Sequence, residues 1–353
     1  LPFDTEKAVL ETAFEKRGFY AKKAFPADFA SHASKRNVRV VVSNCLAWLF
    51  EKRSLPFLHL WYYPKEFESV FSFHIDVDNF STDVFPTVAL MEKLKLKPLW
   101  FLNMESSKNS PDSKIGSVLS KQKFVAQHAF EHNYFEDQNK SYKNILRGDR
   151  EIKKFGIKPE SLSAPNGVWG KGVARAAQDL GYKFVIAFSL DHDDFPFKPI
   201  VDGKQMRFLL FPTHQICIGI LKLYDFSEND MIEYYRDAIE EHIAGNIPMF
   251  FYGHPLKRMA RFPAVIESIV ENVNSRKDVW KASQYEFVDW WNERSKLSFK
   301  AALDGKKIEL KCRKSKRAKI AVVLGNKRYL VSAKSSVIKR ASLKKGKRLP
   351  TAP

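Results

Sequence analysis

Two short clusters, about fifty residues apart, hold the side chains best suited to chemistry. Ser72-Phe73-His74-Ile75-Asp76-Val77-Asp78-Asn79 is an apolar, β-prone run that ends in two carboxylates. Gln127-His128-Ala129-Phe130-Glu131-His132-Asn133 places two imidazoles at i and i+4. One carboxylate and two imidazoles make a common ligand set for a catalytic divalent metal that keeps a position open for water. A second carboxylate is left over as a base, so the chemistry is metal-assisted hydrolysis. In a strand, residues i and i+2 share a face, so Asp76 and Asp78 can enter one site while Val77 turns away. Spacing does not settle which of the two binds metal. Taken singly, each cluster also fits a turn, a cap or ordinary polar residues. Their setting adds weight, because Ser69–Val77 reads as a buried strand and Lys123–Ala126 as a short strand just before His128. In parallel α/β folds, ligands collect where strands end.

From Val70 to Trp291 the chain resembles the polysaccharide deacetylases with a NodB-type domain (carbohydrate esterase family 4). Their aspartate-ending strand matches Phe73–Asp78, and their His-x-x-x-His motif matches His128–His132. Their proline loop is similar to Ser163-Ala164-Pro165-Asn166-Gly167-Val168-Trp169, which precedes a helical pattern and Leu180-Gly181-Tyr182. Their strand running into a histidine resembles Met249–Pro255, with His254. The Ile-Asp-Val-Asp and His-Ala-aromatic-acid-His forms, with Asp194-Phe195-Pro196-Phe197-Lys198-Pro199, look closest to the branch that deformylates a polyprenyl-linked aminoarabinose.

The resemblance implies a distorted (β/α)7 barrel and one divalent metal, zinc foremost, with cobalt, nickel or manganese as alternatives. It assigns Asp78, His128 and His132 to the metal, Asp76 as the base and His254 as the acid. It puts Pro165, Trp169 and Asp194 on the substrate side. His214 joins them as a loop residue, since loops carry function more often than cores. The implied activity removes an acetyl or formyl group from an amino sugar on a polysaccharide or a lipid carrier. Two departures stand out. Ser163 occupies the place of an arginine that pairs with the base in many deacetylases, and Val77 separates aspartates that are usually adjacent. They keep a second expectation open: an inactive deacetylase fold that binds anionic glycan or lipid.

Other histidines read more plainly. His74 could line the site or be a satisfied buried ring. His192 sits in Asp191-His192-Asp193-Asp194, a solvated turn or a second metal cluster, and Asp193 or Asp194 could orient a histidine. His32, His59 and His242 have no partner at a useful spacing. Cys45, Cys217 and Cys312 form no metal or disulfide pattern, which fits a reducing compartment. No apolar run approaches the length of a membrane span. The chain begins at Leu1, as a fragment or a processed chain would, so a missing leader carries no weight. A cytoplasmic protein, or one peripheral to the cytoplasmic face of the membrane, is expected.

Charge is placed unevenly. Of the net +19, +16 lies between Ser298 and Pro353, where 18 Lys/Arg face 2 Asp/Glu. Charge runs are often only solvated faces. Anionic membrane or lipid phosphate, anionic glycan and non-specific nucleic acid are the functional readings. Membrane or lipid phosphate fits a lipid-linked sugar best, and no nucleic-acid motif is present.

The surrounding pattern divides at 1–65, 66–296 and 297–353: an N-terminal extension, a barrel of alternating strands and helices, and a small basic all-β domain. In the extension, Thr5–Arg17 reads as a helix, Val38–Val42 as a strand, Ser43 as the cap of a helix to Lys52, and Phe57–Tyr63 as a strand packed on the barrel. In the core, helices are expected at Asp83–Leu94, Val173–Leu180, Glu228–Ala244, Ala264–Val273 and Tyr285–Arg294, and strands at Lys97–Leu102, Lys183–Phe188 and Ile247–Tyr252. The basic segment should hold strands at Lys307–Cys312, Lys319–Leu324 and Arg328–Val331, with a turn at Gly325-Asn326, and Lys344–Arg348 reads as a mobile tail.

Overall fold

The run Ser69–Val77 forms a strand in which every residue is buried. A strand covered on both faces belongs in the middle of a parallel sheet with helices outside, which is why its sequence is so apolar. In the computed structural model, which describes residues 14–16, 29–31, 33–343 and 347–348, the strands follow in chain order. They begin with β1 (Phe14–Lys16), β2 (Phe29–Ser31), β3 (Phe57–Leu60), β4 (Ser69–Val77), β5 (Leu99–Leu102), β6 (Phe124–Gln127) and β7 (Ser161–Ser163). Next come β8 (Phe184–Ala187), β9 (Ile200–Val201), β10 (Lys204–Gln205), β11 (Leu209–Pro212), β12 (Met249–Gly253) and β13 (Val279–Lys281). Strands β11, β8, β7, β6, β5, β4 and β12 lie side by side in that order, all parallel, and β13 joins the start of β4. This is the nearly closed, seven-stranded (β/α) barrel expected from the sequence. The seam between β11 and β12 is bridged where the His214 N–H donates to the Phe250 carbonyl at 3.1 Å.

The barrel positions the chemistry through register. Val77 pairs with Leu102, Leu102 with Gln127, Ser163 with Ile186, and Gly253 with Ile75. Asp78, His128 and His254 each follow directly on one of these strand ends, so all emerge on one rim. Along β4, Phe71, Phe73, Ile75 and Val77 join the apolar layer under the helices. The alternate residues His74 and Asp76 line a cleft instead.

The expected core helices form at Val84–Lys93, Lys171–Asp179, Glu228–Ala244, Pro263–Ser275 and Gln284–Ser295, and Gln138–Lys153 adds another. Capping boxes start two of them: Ser227 with Asp230, and Ser283 with Glu286. No helix among the described residues is long and apolar enough to cross a membrane.

The extension departs from expectation. Val38–Val42 is not a strand and Ser43 is not a cap. One helix runs Lys35–Lys52, capped by Ser34, whose hydroxyl accepts from the Asn37 N–H at 3.2 Å. Strand propensity loses because no strand among the described residues lies beside it, and the run continues unbroken into Leu46-Ala47-Trp48-Leu49. The helix is also tied to the barrel by Arg39, which pairs with Asp194 at 2.6 Å and lies over the Phe195 ring. Within Thr5–Arg17, Phe14–Lys16 is a strand antiparallel to β2. The rest of that expected helix, and His32, lie outside the described residues.

After the barrel come β14 (Phe299–Asp304), β15 (Lys307–Cys312), β16 (Lys319–Leu324), β17 (Lys327–Ser332), β18 (Ser336–Lys339) and β19 (Lys347–Arg348). They make a β14-β15-β18 sheet and a β19-β17-β16-β3 sheet. Gly325, at φ 55°, turns the β16–β17 hairpin as expected. Of the expected tail, Lys347–Arg348 pairs with Lys327–Arg328, and Lys344–Gly346 lies outside the described residues. Strand β3 pairs with β16, Leu60 opposite Ile320, so the segment before the barrel completes the sheet built after it. Ile308, Leu310, Ile320 and Val322 then share one apolar cluster with Trp61, Phe287 and Trp290 of the barrel side.

A buried ion pair pins this joint. Arg328, 6% exposed, bonds Glu68, 4% exposed, and Asn246, and its guanidinium lies over the Trp61 ring at 4.1 Å. Losing one partner of a buried pair strands the other's charge. Arg328→Met should therefore cost about 3 kcal/mol of unfolding free energy, less any relief from Lys347, whose Nζ lies 3.1 Å from Glu68. The same change in a Glu68→Gln background should cost clearly less. Urea unfolding of the four proteins of this cycle reads the difference, and equal costs would show that the two residues do not couple.

Candidate metal centre at the barrel rim

The cleft, a cavity of about 510 Å³, opens where these strands end. Asp78 stands at its centre. Its Oδ1 lies 3.3 Å from His128 Nε2 and 3.4 Å from His132 Nε2, and its Oδ2 lies 3.5 Å from His254 Nε2. Arg258 approaches the same carboxylate at 3.9 Å. Asp76, deeper on β4, accepts from the Ser163 hydroxyl at 3.3 Å and faces His74 at 3.8 Å.

The two motif histidines do not meet on a helix. They sit on an irregular loop after β6 in which Ala129 takes a left-handed φ of 58°. Neighbours hold that loop. Asn144 binds the Glu131 backbone twice, accepting from its N–H at 2.7 Å and donating to its carbonyl at 2.9 Å. Asn103 donates to the Phe130 carbonyl at 2.9 Å, and the Glu105 N–H donates to it at 2.8 Å. Gly148 lets the helix approach, because a Cβ there would lie 2.4 Å from Gln127 Oε1 and 2.6 Å from the Ala129 backbone. Asn103, Asn144, Gly148 and Arg258 carry no sequence signal of these roles, since each acts across a long chain separation.

The donor set fits a divalent ion. Asp78 Oδ1 is buried without a hydrogen bond, although two imidazole nitrogens face it. Ligand atoms about 2.0–2.1 Å from a tetrahedral zinc lie about 3.3 Å apart, the separations found here. His128 Nδ1 donates to the Ser163 carbonyl at 2.8 Å, which turns the Nε2 lone pair toward Asp78. That is the outer-shell contact metal-bound histidines usually make.

Burial and mutual charge set the titration. Burial, with the Asp78 charge, pushes Asp76 up to about 6, against the pull of His128. Asp78 falls below the carboxylate range, because His254, His128 and His132 overcome its desolvation. His128 rises to about 9, since Asp76 and Asp78 outweigh its burial. Burial and the neighbouring cations lower His132 to about 4 and His254 to about 3. His74, buried and stacked on Tyr252, falls well below its ordinary value.

The structure thus gathers Asp76, Asp78, His128, His132 and His254, and adds His74 to the cleft lining. The residues expected on the substrate side fare differently. Pro165 is buried in a turn whose next residues, Asn166 and Gly167, face the cleft in its place. Trp169 does not line the cleft; its ring packs on Phe208 in a separate apolar cluster, where a large ring gains most from burial. Asp194 pairs with Arg39 instead, because the loop after β8 folds back against the N-terminal helix. His214 turns away to Asp193, Tyr234 and His242. The acidic turn is therefore not solvated, for Asp191 and Asp194 are buried and Asp193 orients two histidines.

Among solved structures, the chain is similar to one described as a polysaccharide deacetylase from Mycobacterium smegmatis, with TM-score 0.56 and 16% identity over 67% of this chain and 94% of that one. A second, described as a polysaccharide deacetylase from Pseudomonas aeruginosa PAO1, gives TM-score 0.53 and 13% identity over 65% and 92%. The Puue allantoinase gives TM-score 0.54 and 14% identity over 66% and 93%. No protein-family profile and no curated protein matches the sequence. At these identities the likeness is one of fold, and the fold is the NodB-type deacetylase barrel.

Two outcomes follow. Zinc binding at pH 7.5 should release about one proton, taken from His128, and the release should fade above about pH 9. Calorimetry in buffers of different ionisation enthalpy measures it. Asn144→Ala should leave far-UV circular dichroism unchanged and weaken zinc binding roughly 10–100-fold, by loosening the loop that aims both rings; unaltered affinity would show that the loop holds itself.

Proposed function

We propose that the protein is a metal-dependent amide hydrolase that removes an acetyl or formyl group from an amino sugar of a polysaccharide or a lipid-linked glycan. The observation that supports it most is the convergence of Asp78, His128 and His132 beside a second, unshared carboxylate, Asp76. A divalent ion on those three residues would act as a Lewis acid and lower the pKa of water. Asp76 takes the proton of the attacking water. Its free Oδ1, buried and without a hydrogen bond, is the receiving atom, and Ser163 fixes the other oxygen. The neutral His74 leaves that oxygen without a competing positive charge. Ser163 replaces the arginine of related barrels, and Arg258 restores some positive charge near the carboxylates from the opposite wall.

His254 follows directly on β12 with Nε2 turned into the cleft and delivers the proton to the leaving amine. It starts neutral, so the proton it delivers is the one Asp76 has taken from water, passed on as negative charge growing on the substrate raises its basicity, and given to the amine as the C–N bond breaks. The basic sheets after the barrel would hold the anionic part of the substrate, a lipid phosphate or membrane surface. On this reading the protein works in the cytoplasm or at the cytoplasmic face of the membrane.

The test is amine release from N-acetyl and N-formyl amino sugars by zinc-loaded protein. Asp76→Asn should keep the ion of the cleft and lower turnover about 10²–10⁴-fold. His128→Ala/His132→Ala should lose both that ion and the activity. Hydrolysis that survives the double change would sink the mechanism. An ion without hydrolysis across the panel would leave an inactive glycan-binding barrel.

A further inference from the structure

A second set of histidines lies outside the cleft. The loop after β8 carries Asp193, the loop after β11 carries His214, and the helix Glu228–Ala244 carries Tyr234 and His242. His214 Nδ1 lies 2.9 Å from Asp193 Oδ1 and 3.0 Å from its Oδ2, and His242 Nε2 lies 3.0 Å from Oδ1. The outer nitrogens are also engaged. His242 Nδ1 faces the Ala238 carbonyl at 2.6 Å, and His214 Nε2 bonds the Tyr234 hydroxyl.

These contacts constrain what sits between the groups. The carbonyl of Ala238 only accepts, so it takes the Nδ1 proton of His242, and Nε2 meets the carboxylate either as the second N–H of an imidazolium or as a lone pair. Lone pair and carboxylate repel unless a proton or a metal ion stands between them. This is the arrangement His128 shows in the cleft, with its Nδ1–H given to a backbone carbonyl and Nε2 turned to Asp78. The three ligand atoms lie within 4.8 Å of one another, as they do in the cleft set. Asp193 holds a left-handed φ of 50°, a conformation an aspartate adopts at some cost and one that turns its carboxylate inward. A cavity of about 450 Å³ opens onto the group, and Asp230, Glu233, Asp237 and Glu241 of the helix line it. Such a wall favours the approach of a cation.

We propose that Asp193, His214 and His242 form a second divalent-cation site, of the two-imidazole, one-carboxylate kind that takes zinc or a neighbouring first-row ion. It shares no ligand with the cleft. An ion there joins the loops after β8 and β11 to the helix Glu228–Ala244. The β11 loop runs on through Gln215 to Cys217, and Cys217 lines the cleft. The site therefore stiffens one wall of the cleft without touching the reacting groups.

The experiment uses a variant that leaves the new site intact. His128→Ala/His132→Ala and wild-type protein are loaded with zinc, dialysed and measured for bound metal. Wild type should hold about two ions per chain and the double variant about one, with zinc still raising the variant's melting temperature. Adding His214→Gln should remove that last ion; should this protein not fold, Asp193→Asn takes its place. A double variant with no ion overturns the second site, whether or not wild type holds one in the cleft. An ion that survives both His214→Gln and Asp193→Asn overturns it too. A single wild-type ion retained by the double variant and lost with His214→Gln would support this site and defeat the cleft assignment.

Discussion

The cleft depends on one carboxylate. Asp78 is the group toward which His128, His132, His254 and Arg258 all turn, and four cationic or ionisable neighbours around one negative charge are stable only if that charge stays. Its depressed pKa is the thermodynamic expression of this clustering. Neutralising it would leave imidazoles crowded against each other in a buried space, with nothing to order their lone pairs. The barrel makes the clustering possible because parallel strands end together, so residues distant in sequence emerge at one height on one rim.

Two aspartates two residues apart acquire different characters from burial and from the charges beside each. Asp76 lies within β4 and Asp78 just past its end. The deeper one is desolvated and pushed up to about 6, while the shallower one is held down by the rings around it. A pair of carboxylates driven apart in this way can divide the work of holding a cation and of moving a proton. Ser163 helps both, its hydroxyl on Asp76 and its carbonyl on His128.

The support behind the cleft is spread over the whole chain. The segment before the barrel supplies Trp61 and β3 to a sheet otherwise made from the last residues, and Arg328 reaches back to Glu68 at the foot of β4. The strand carrying the aspartates is thus anchored at its start by a residue about 260 positions away. The excess positive charge of the last segment stands on a sheet buried against the barrel on one side.

Much of this was legible in the sequence where local pattern and environment agree. The mostly apolar, β-prone Ser69–Val77 read as a covered strand, the βα alternation as a parallel sheet, and Glu228–Ala244 as a long helix. The residue types and spacing of Asp76, Asp78, His128 and His132 pointed to metal-assisted hydrolysis, because strand ends share a rim whatever the loops do, and His254 came from the family resemblance. Val38–Val42 read wrongly because β-branched residues state a preference that only a partner strand can satisfy. Trp169, Asp194 and His214 lie off the cleft lining, because a motif fixes a residue's place in the chain and not the direction of its side chain. The roles of Asn103, Asn144 and Arg258 were invisible, and Asp193 read as a residue that could orient a histidine without showing that His214 and His242 were the ones, since each works through contacts between segments that meet only when the barrel closes. The sequence by itself determined which residue types stood at the strand ends. The tertiary structure decided which of them face one another, because direction and distance across a barrel come from register, loop conformation and packing, and none of these is local.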